Sequence, residues 1–133
     1  HKTYTMKKIA LSFVLLAGLL FLLAQCGSAD KGTKVADTFF ASIIKKDFEK
    51  AARMVELPLG DTTDILVQLK RMENNPINGQ LQDFKKSIGF KTNMSNGITT
   101  IELPYRLKYE KGVVPFNVVI QNKGKGYKIV AVQ

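Results

Sequence analysis

The amino-acid sequence predicts an α+β domain in which two or three helices precede a curved antiparallel sheet of about four strands. Three observations predict it. Apolar residues recur at helical spacing as far as Met72. In the second half a strict apolar–polar alternation replaces that spacing. The segments between the alternating runs carry the Asn, Gly and Lys residues of hairpin turns.

From Lys34 onward, Val35, Phe39, Phe40, Ile43 and Ile44 fall on one helical face, with Asp37, Lys45 and Lys46 on the other. Asp47 caps a second predicted helix, in which Phe48, Ala51, Ala52 and Val55 share a face; Pro58 and Gly60 end it. Thr62, Thr63 or Asp64 caps a third, with Ile65, Leu66, Leu69 and Met72 as its apolar stripe and the Asn74-Asn75-Pro76 and Asn78-Gly79 clusters as its stop. A first strand is expected over Leu81 to Phe90. Ile101, Leu103, Tyr105, Leu107 and Tyr109 then alternate with Glu102, Pro104, Arg106 and Lys108, the two-residue repeat of a strand with one buried face. Val114, Phe116, Val118 and Ile120 repeat the pattern, and Tyr127 to Val132 is a short apolar closing strand. Hairpin chemistry at Ser95-Asn96-Gly97, Glu110-Lys111-Gly112 and Asn122 to Gly126 makes the sheet sequential. Pro104 and Pro115 donate no ladder hydrogen bond, so each belongs at an edge or a bulge.

The N-terminal part reads differently. Met6-Lys7-Lys8 is a short positive segment, and Ile9 to Ala24 is an unbroken apolar run that ends at Gln25-Cys26-Gly27-Ser28. This is the architecture of an export signal, with translation expected to start at Met6. The run is shorter than the ~20 residues that span a bilayer, which makes a permanent transmembrane anchor the weaker reading. Leu23-Ala24-Gln25-Cys26 resembles the lipobox of bacterial lipoproteins, with Gln25 standing where that pattern has a small residue. The resemblance implies a signal peptide over residues 1–25 and a diacylglyceryl group, with further fatty acylation such as palmitate, on Cys26. Residues 26–33 would then be the lipidated cysteine and a flexible tether, and residues 34–133 the folded domain. It also implies lipid anchoring in the cell envelope, with the outer membrane favoured in a Gram-negative source because Gly27, not aspartate, follows the cysteine. Cys26 is the single cysteine of the chain and has no intrachain partner; an apolar cysteine inside an ordinary signal or anchor helix is the alternative reading.

The net charge is +9, and the part after Cys26 keeps seventeen basic against eleven acidic residues. The lysines are scattered through every segment, the adjacent basic pairs sit on expected helix or strand surfaces, and there is no nucleic-acid motif, so the charge reads as a solvated cationic surface suited to anionic lipid head groups, with no nucleic acid as partner.

Helices first and a strand meander afterwards, in the segments FFASIIKKDFEKAARMV, TTIELPYRLKYEKG and GYKIVAVQ, resemble the nuclear-transport-factor-two-like (cystatin-like) superfamily, and within it small secreted or lipoprotein domains of unknown function. The resemblance implies a sheet that bends away from the helices and leaves a cavity. Alternation puts Leu103, Tyr105, Leu107, Phe116 and Val118 on the same side as the helix residues Phe39, Ile43 and Leu66, which together are the candidate lining. The superfamily also holds ketosteroid-isomerase-like and polyketide-cyclase-like enzymes, with carboxylates, histidines and tyrosines in that space. Here the single histidine is His1, and the acids suit helix caps and polar faces, so no catalytic residue, metal ligand or cofactor is assigned. Tyr105 and Tyr109 are either cavity hydroxyl donors or core aromatics with satisfied hydroxyls. The expected function is a non-enzymatic module that takes a small apolar or amphipathic ligand or an envelope protein, with an enzyme of the cavity-bearing branch as the alternative. Labelled palmitate is expected to enter the wild type in a bacterial host and not Cys26→Ser; equal labelling of both would discard lipidation at Cys26.

Overall fold

The computed structural model describes residues 27 and 29–133; Cys26 and the apolar segment before it lie outside them. Lys31–Gln133 form one compact unit. Residues 29–44 are helical (α1), followed by α2 (Phe48–Arg53) and α3 (Ile65–Glu73). The strands are β1 (Asn74–Asn75), β2 (Gly79–Lys86), β3 (Lys91–Ser95), β4 (Ile98–Tyr109), β5 (Gly112–Asn122) and β6 (Tyr127–Val132).

On α1 the face of Ala36, Phe39, Phe40 and Ile43 is fully buried, and each of the three large side chains contributes ~1.5–3 kcal/mol by leaving water. Phe40 lies 5.0 Å from the ring of Tyr105 and 5.7 Å from that of Phe84, so α1 is held against β2 and β4 by aromatic packing. The helix begins earlier than expected. Residues 29–33, read as tether, are helical, and a Cβ on Gly32 would stand 3.2 Å from the Ile101 side chain. Gly32 therefore serves close approach of helix and sheet, which its composition-based reading as a linker glycine missed.

The C-terminal end of α1 closes through two backbone bonds, Asp47 N–H to Ser42 C=O at 2.9 Å and Lys46 N–H to Ile43 C=O at 3.0 Å, with Lys46 left-handed at φ 62°. Asp47 then caps α2 by accepting from Lys50 N–H, and Asp64 caps α3 by accepting from Val67 N–H.

The sheet has six strands where about four were expected. The order is β1-β2-β4-β5-β6, with β3 also on β4. The expected strand from Leu81 to Phe90 ends at Lys86 as β2, and a further strand, β3, follows it at Lys91–Ser95. β2 pairs with the C-terminal half of β4 and β3 with its N-terminal half. The chain breaks between them opposite Pro104, whose carbonyl accepts from Ser87 N–H at 2.8 Å. A residue's N–H and C=O point to the same neighbour in a strand, so the N–H that proline lacks faces this gap. Phe90 lies in the break and is exposed. Pro115 faces the β6 side, as does Asn117, and lies beyond the stretch that β6 covers. Every residue of β3 is exposed, so it has no apolar alternation to betray it, and β1 is only two residues long.

The β3–β4 hairpin turns at Asn96 and Gly97, with φ of 52° and 75°, the doubly positive pair that matches strand twist. The inward row of β4, Ile101, Leu103, Tyr105, Leu107 and Tyr109, is buried throughout. Register places Ile120, Val118, Phe116 and Val114 of β5 opposite its first four members. Register shifts at Leu81/Asp83 and at Val119/Ile120 bend the sheet. Because Lys46 is a side-chain-bearing residue in left-handed backbone, Lys46→Gly is expected to raise stability by about 0.5–1 kcal/mol, read by urea denaturation at unchanged slope.

Candidate functional site

The bend leaves a cavity of about 490 Å³. Phe39 of α1 and Leu69 and Met72 of α3 form one wall; Tyr109, Phe116 and the β6 run Ile129 to Val132 form the other. Val55, Leu57 and Thr63, from the segment that joins α2 to α3, close one side. That segment is tied to the sheet edge by Glu56 N–H donating to Ile129 C=O at 2.9 Å and Ile129 N–H donating to Met54 C=O at 2.8 Å. The same bonds hold Val55 beside Ile129.

Two local features open this space. On the α1–β2 side, Phe39, Phe40, Phe84 and Tyr105 stack with neighbouring centroids 5.0 to 6.4 Å apart and fill the interval between helix and sheet. On the β6 side the facing residues are aliphatic and smaller. The shift in β5–β6 register pairs Val119 with Ala131 and Ile120 with Ile129, which leaves Val130 as an extra residue on β6. Alternation is lost there, and Ile129, Val130, Ala131 and Val132 all reach the wall.

The eight residues expected to line a cavity therefore separate. Phe39 and Phe116 line it. Ile43, Leu103, Tyr105, Leu107 and Val118 are packed core, buried to 1% exposure or less. Leu66 is 39% exposed, because α3 turns Ile65, Leu69 and Met72 inward and Leu66 stands a quarter-turn away from that stripe. The lining residues outside the expected eight include Val55, Leu57, Thr63, Gln68, Arg71, Asn75 and the β6 run, and the inward α3 residues Ile65, Leu69 and Met72 with Tyr109. Helical periodicity does place Gln68 and Arg71 at the border of the α3 stripe, but a β-bulge leaves no mark in the sequence.

The tyrosine hydroxyls are engaged. Tyr105 O–H donates to Asp37 Oδ1 at 2.7 Å and lies 3.4 Å from the Thr33 carbonyl oxygen, both on α1. Tyr109 O–H donates to the Met72 carbonyl at 2.8 Å, at the end of α3. Burial raises both hydroxyls above the ordinary tyrosine range; at Tyr105 the hydrogen bond to Asp37 and its negative charge add to the effect. They are clamps between sheet and helices, so of the two readings it is the core aromatic with a satisfied hydroxyl that describes them.

Among the described residues, no carboxylate or histidine lines the cavity. The buried acid Glu73 is on the opposite side of α3, beside Lys46, Phe48 and Lys70. Asp61, near the cavity's Thr63, accepts from the Thr63 hydroxyl and N–H, and these bonds lower its pKa. No cluster of potential metal ligands occurs among the described residues. No helix among them is long and apolar enough to cross a membrane. The polar lining is Thr63, Gln68, Arg71, Asn75 and the engaged Tyr109.

Compared with protein-family models the chain has no match, and no curated protein matches it in sequence.

Tyr105→Ala is expected to cost about 3–5 kcal/mol, a core-aromatic loss. Tyr105→Phe should cost about 1.5–3 kcal/mol at neutral pH, since it removes a hydrogen bond to a charged group. With its folded pKa above the ordinary 10.0, Tyr105 contributes stability that is full below pH 10 and falls as the unfolded chain ionises at higher pH. The gap between wild type and Tyr105→Phe should therefore narrow above pH 10, measured by urea denaturation across pH.

Proposed function

We propose that this chain is a membrane-anchored envelope lipoprotein whose α+β domain binds a small amphipathic molecule in the cavity between its helices and sheet. The observation that carries this reading is the cavity itself, about 490 Å³ and walled by aromatic and aliphatic side chains with a few polar groups. Its volume falls within the ~300–1,000 Å³ range of small-molecule sites. Among the described residues the lining holds no acid or imidazole, which favours binding over turnover, because proton transfer needs such a group within hydrogen-bond reach of the substrate. The anchoring part of the proposal rests on the Leu23-Ala24-Gln25-Cys26 sequence at the end of the apolar run. Helices that precede a sheet bent by a strand break and two register shifts, with a cavity between the layers, support placing the domain among nuclear-transport-factor-two-like folds.

A solvatochromic apolar probe such as phenylnaphthylamine is expected to bind saturably to the protein with enhanced fluorescence. Phe116→Trp or Val132→Trp, which place a larger ring in the cavity, should reduce that binding at least about tenfold while the protein still unfolds cooperatively. Binding that both variants leave unchanged would discard the cavity as the site.

A further inference from the structure

Which amphipathic molecule the cavity suits is decided by the charge at its mouth. The lining contains one cation, Arg71, and no anion among the described residues. Arg71 lies in the last turn of α3, on the edge between the cavity-facing stripe and the opposite side, where exposed Lys70 and buried Glu73 lie beside Phe48. The side chain is exposed and makes no hydrogen bond or ion pair with another described residue. Glu73, two residues on, is not within ion-pair distance of it. Its guanidinium is thus free to turn over the mouth while its methylenes cover apolar wall. Two side-chain amides line the cavity near it. Gln68 is one turn back on α3, and Asn75 follows the helix; Asn75 Oδ1 accepts from the N–H groups of Ile77 and Asn78, which turns its carbonyl oxygen away from ligand duty and leaves its NH₂ as a donor.

We infer that the cavity takes a single-chain fatty-acid anion, with the chain among Phe39, Leu69, Phe116 and the β6 residues and the carboxylate at the mouth on Arg71, assisted by Gln68 and Asn75. This rests on the binding reading above and specifies its ligand. The charge count favours a carboxylate. One guanidinium matches one monoanion through two parallel N–H···O bonds, whereas a phosphate monoester dianion would leave a charge uncompensated. A cationic head finds no carboxylate in the lining and would meet Arg71 directly. The basic excess of the part after Cys26, seventeen basic against eleven acidic residues, points the same way by favouring approach of anions. The cavity lies in the lower half of the ~300–1,000 Å³ range for drug-sized ligands, which suits one alkyl chain better than two.

The test titrates dodecanoate, dodecanol and dodecyltrimethylammonium against the full chain preloaded with phenylnaphthylamine, below the micellar range of each. Displacement that is lost in Phe116→Trp or Val132→Trp is assigned to the cavity. The expected order is dodecanoate tightest and the cation weakest. Arg71→Gln should weaken dodecanoate at least about fivefold, leave dodecanol unchanged and remove the preference. Lys70→Gln, which removes an equal charge from the outer face of the same helix turn, should leave the preference intact. Equal displacement by all three compounds, or a preference that survives Arg71→Gln, would overturn the carboxylate assignment and leave the cavity as a site for apolar ligands in general. Failure of every dodecyl compound to displace the probe from the cavity would overturn the fatty-acid assignment alone, since the binding reading fails only if the probe itself does not bind there.

Discussion

The inward row of β4 is the constraint on which the rest of the structure depends. Five consecutive inward positions from Ile101 to Tyr109 are buried, and strands β2, β3 and β5 all take their register from this strand. Its two tyrosines stand four residues apart and reach different helices, Tyr105 to Asp37 on α1 and Tyr109 to the last turn of α3. Each ring fills volume while its hydroxyl fixes position, which apolar packing alone does not do. These two bonds fix one point of each helix over the sheet, beside the aromatic packing that holds α1. Neither hydroxyl is then left to serve a ligand.

The same strand explains how much of the fold is legible in the sequence. A strand with one buried face repeats every two residues, and both β4 and β5 do so without exception through their centres. Turn chemistry marks the hairpins for the same reason, since Asn96-Gly97 and the glycines of the Asn122–Gly126 segment take backbone angles that other residues resist. What sequence reasoning lost are the elements with no buried face of their own. β3 is exposed at every position and is held only by its ladder to β4, and β1 is too short to have a period. The α1 start was misplaced because Gly32 reads as a linker residue until the sheet is seen against it.

The cavity was legible only in part, and the reason is local. Periodicity says which side of an element faces the core but not whether the facing residues meet. Along β4 the aromatic rings of Phe40, Phe84 and Tyr105 are large enough to meet, so five of the residues assigned to a cavity became core. Toward β6 the residues shrink to Ala131 and valines, and an inserted Val130 rotates the strand out of its alternation. Interiors are otherwise close-packed, so a space of this size requires both smaller side chains and a backbone held away. Here the segment Met54 to Glu56 is bonded to Ile129 and holds that edge in place.

The electrostatic character of the cavity follows from helix construction. Carboxylates are favoured at helix N-termini, where orphan N–H groups and the positive end of the dipole need them, and Asp47 and Asp64 are both used there. Basic residues are favoured at the other end, and α3 carries Lys70 and Arg71 in its last turn. Since α3 is also a wall of the cavity, Asp64 goes to its cap and Lys70 and Arg71 to the end that meets Tyr109 and Asn75, while Glu73, in the same last turn, faces the opposite side of the helix. Asp61 is drawn away in the same manner by the Thr63 hydroxyl and N–H. A lining with one arginine and no acid among the described residues therefore follows from the use of Asp64 as a cap and from Glu73 facing away from the cavity. To turn the cavity into a site for acid–base chemistry would require a carboxylate at an inward position of α3 or β6, such as Leu69 or Val132, where it would give up apolar contact among the aliphatic wall residues.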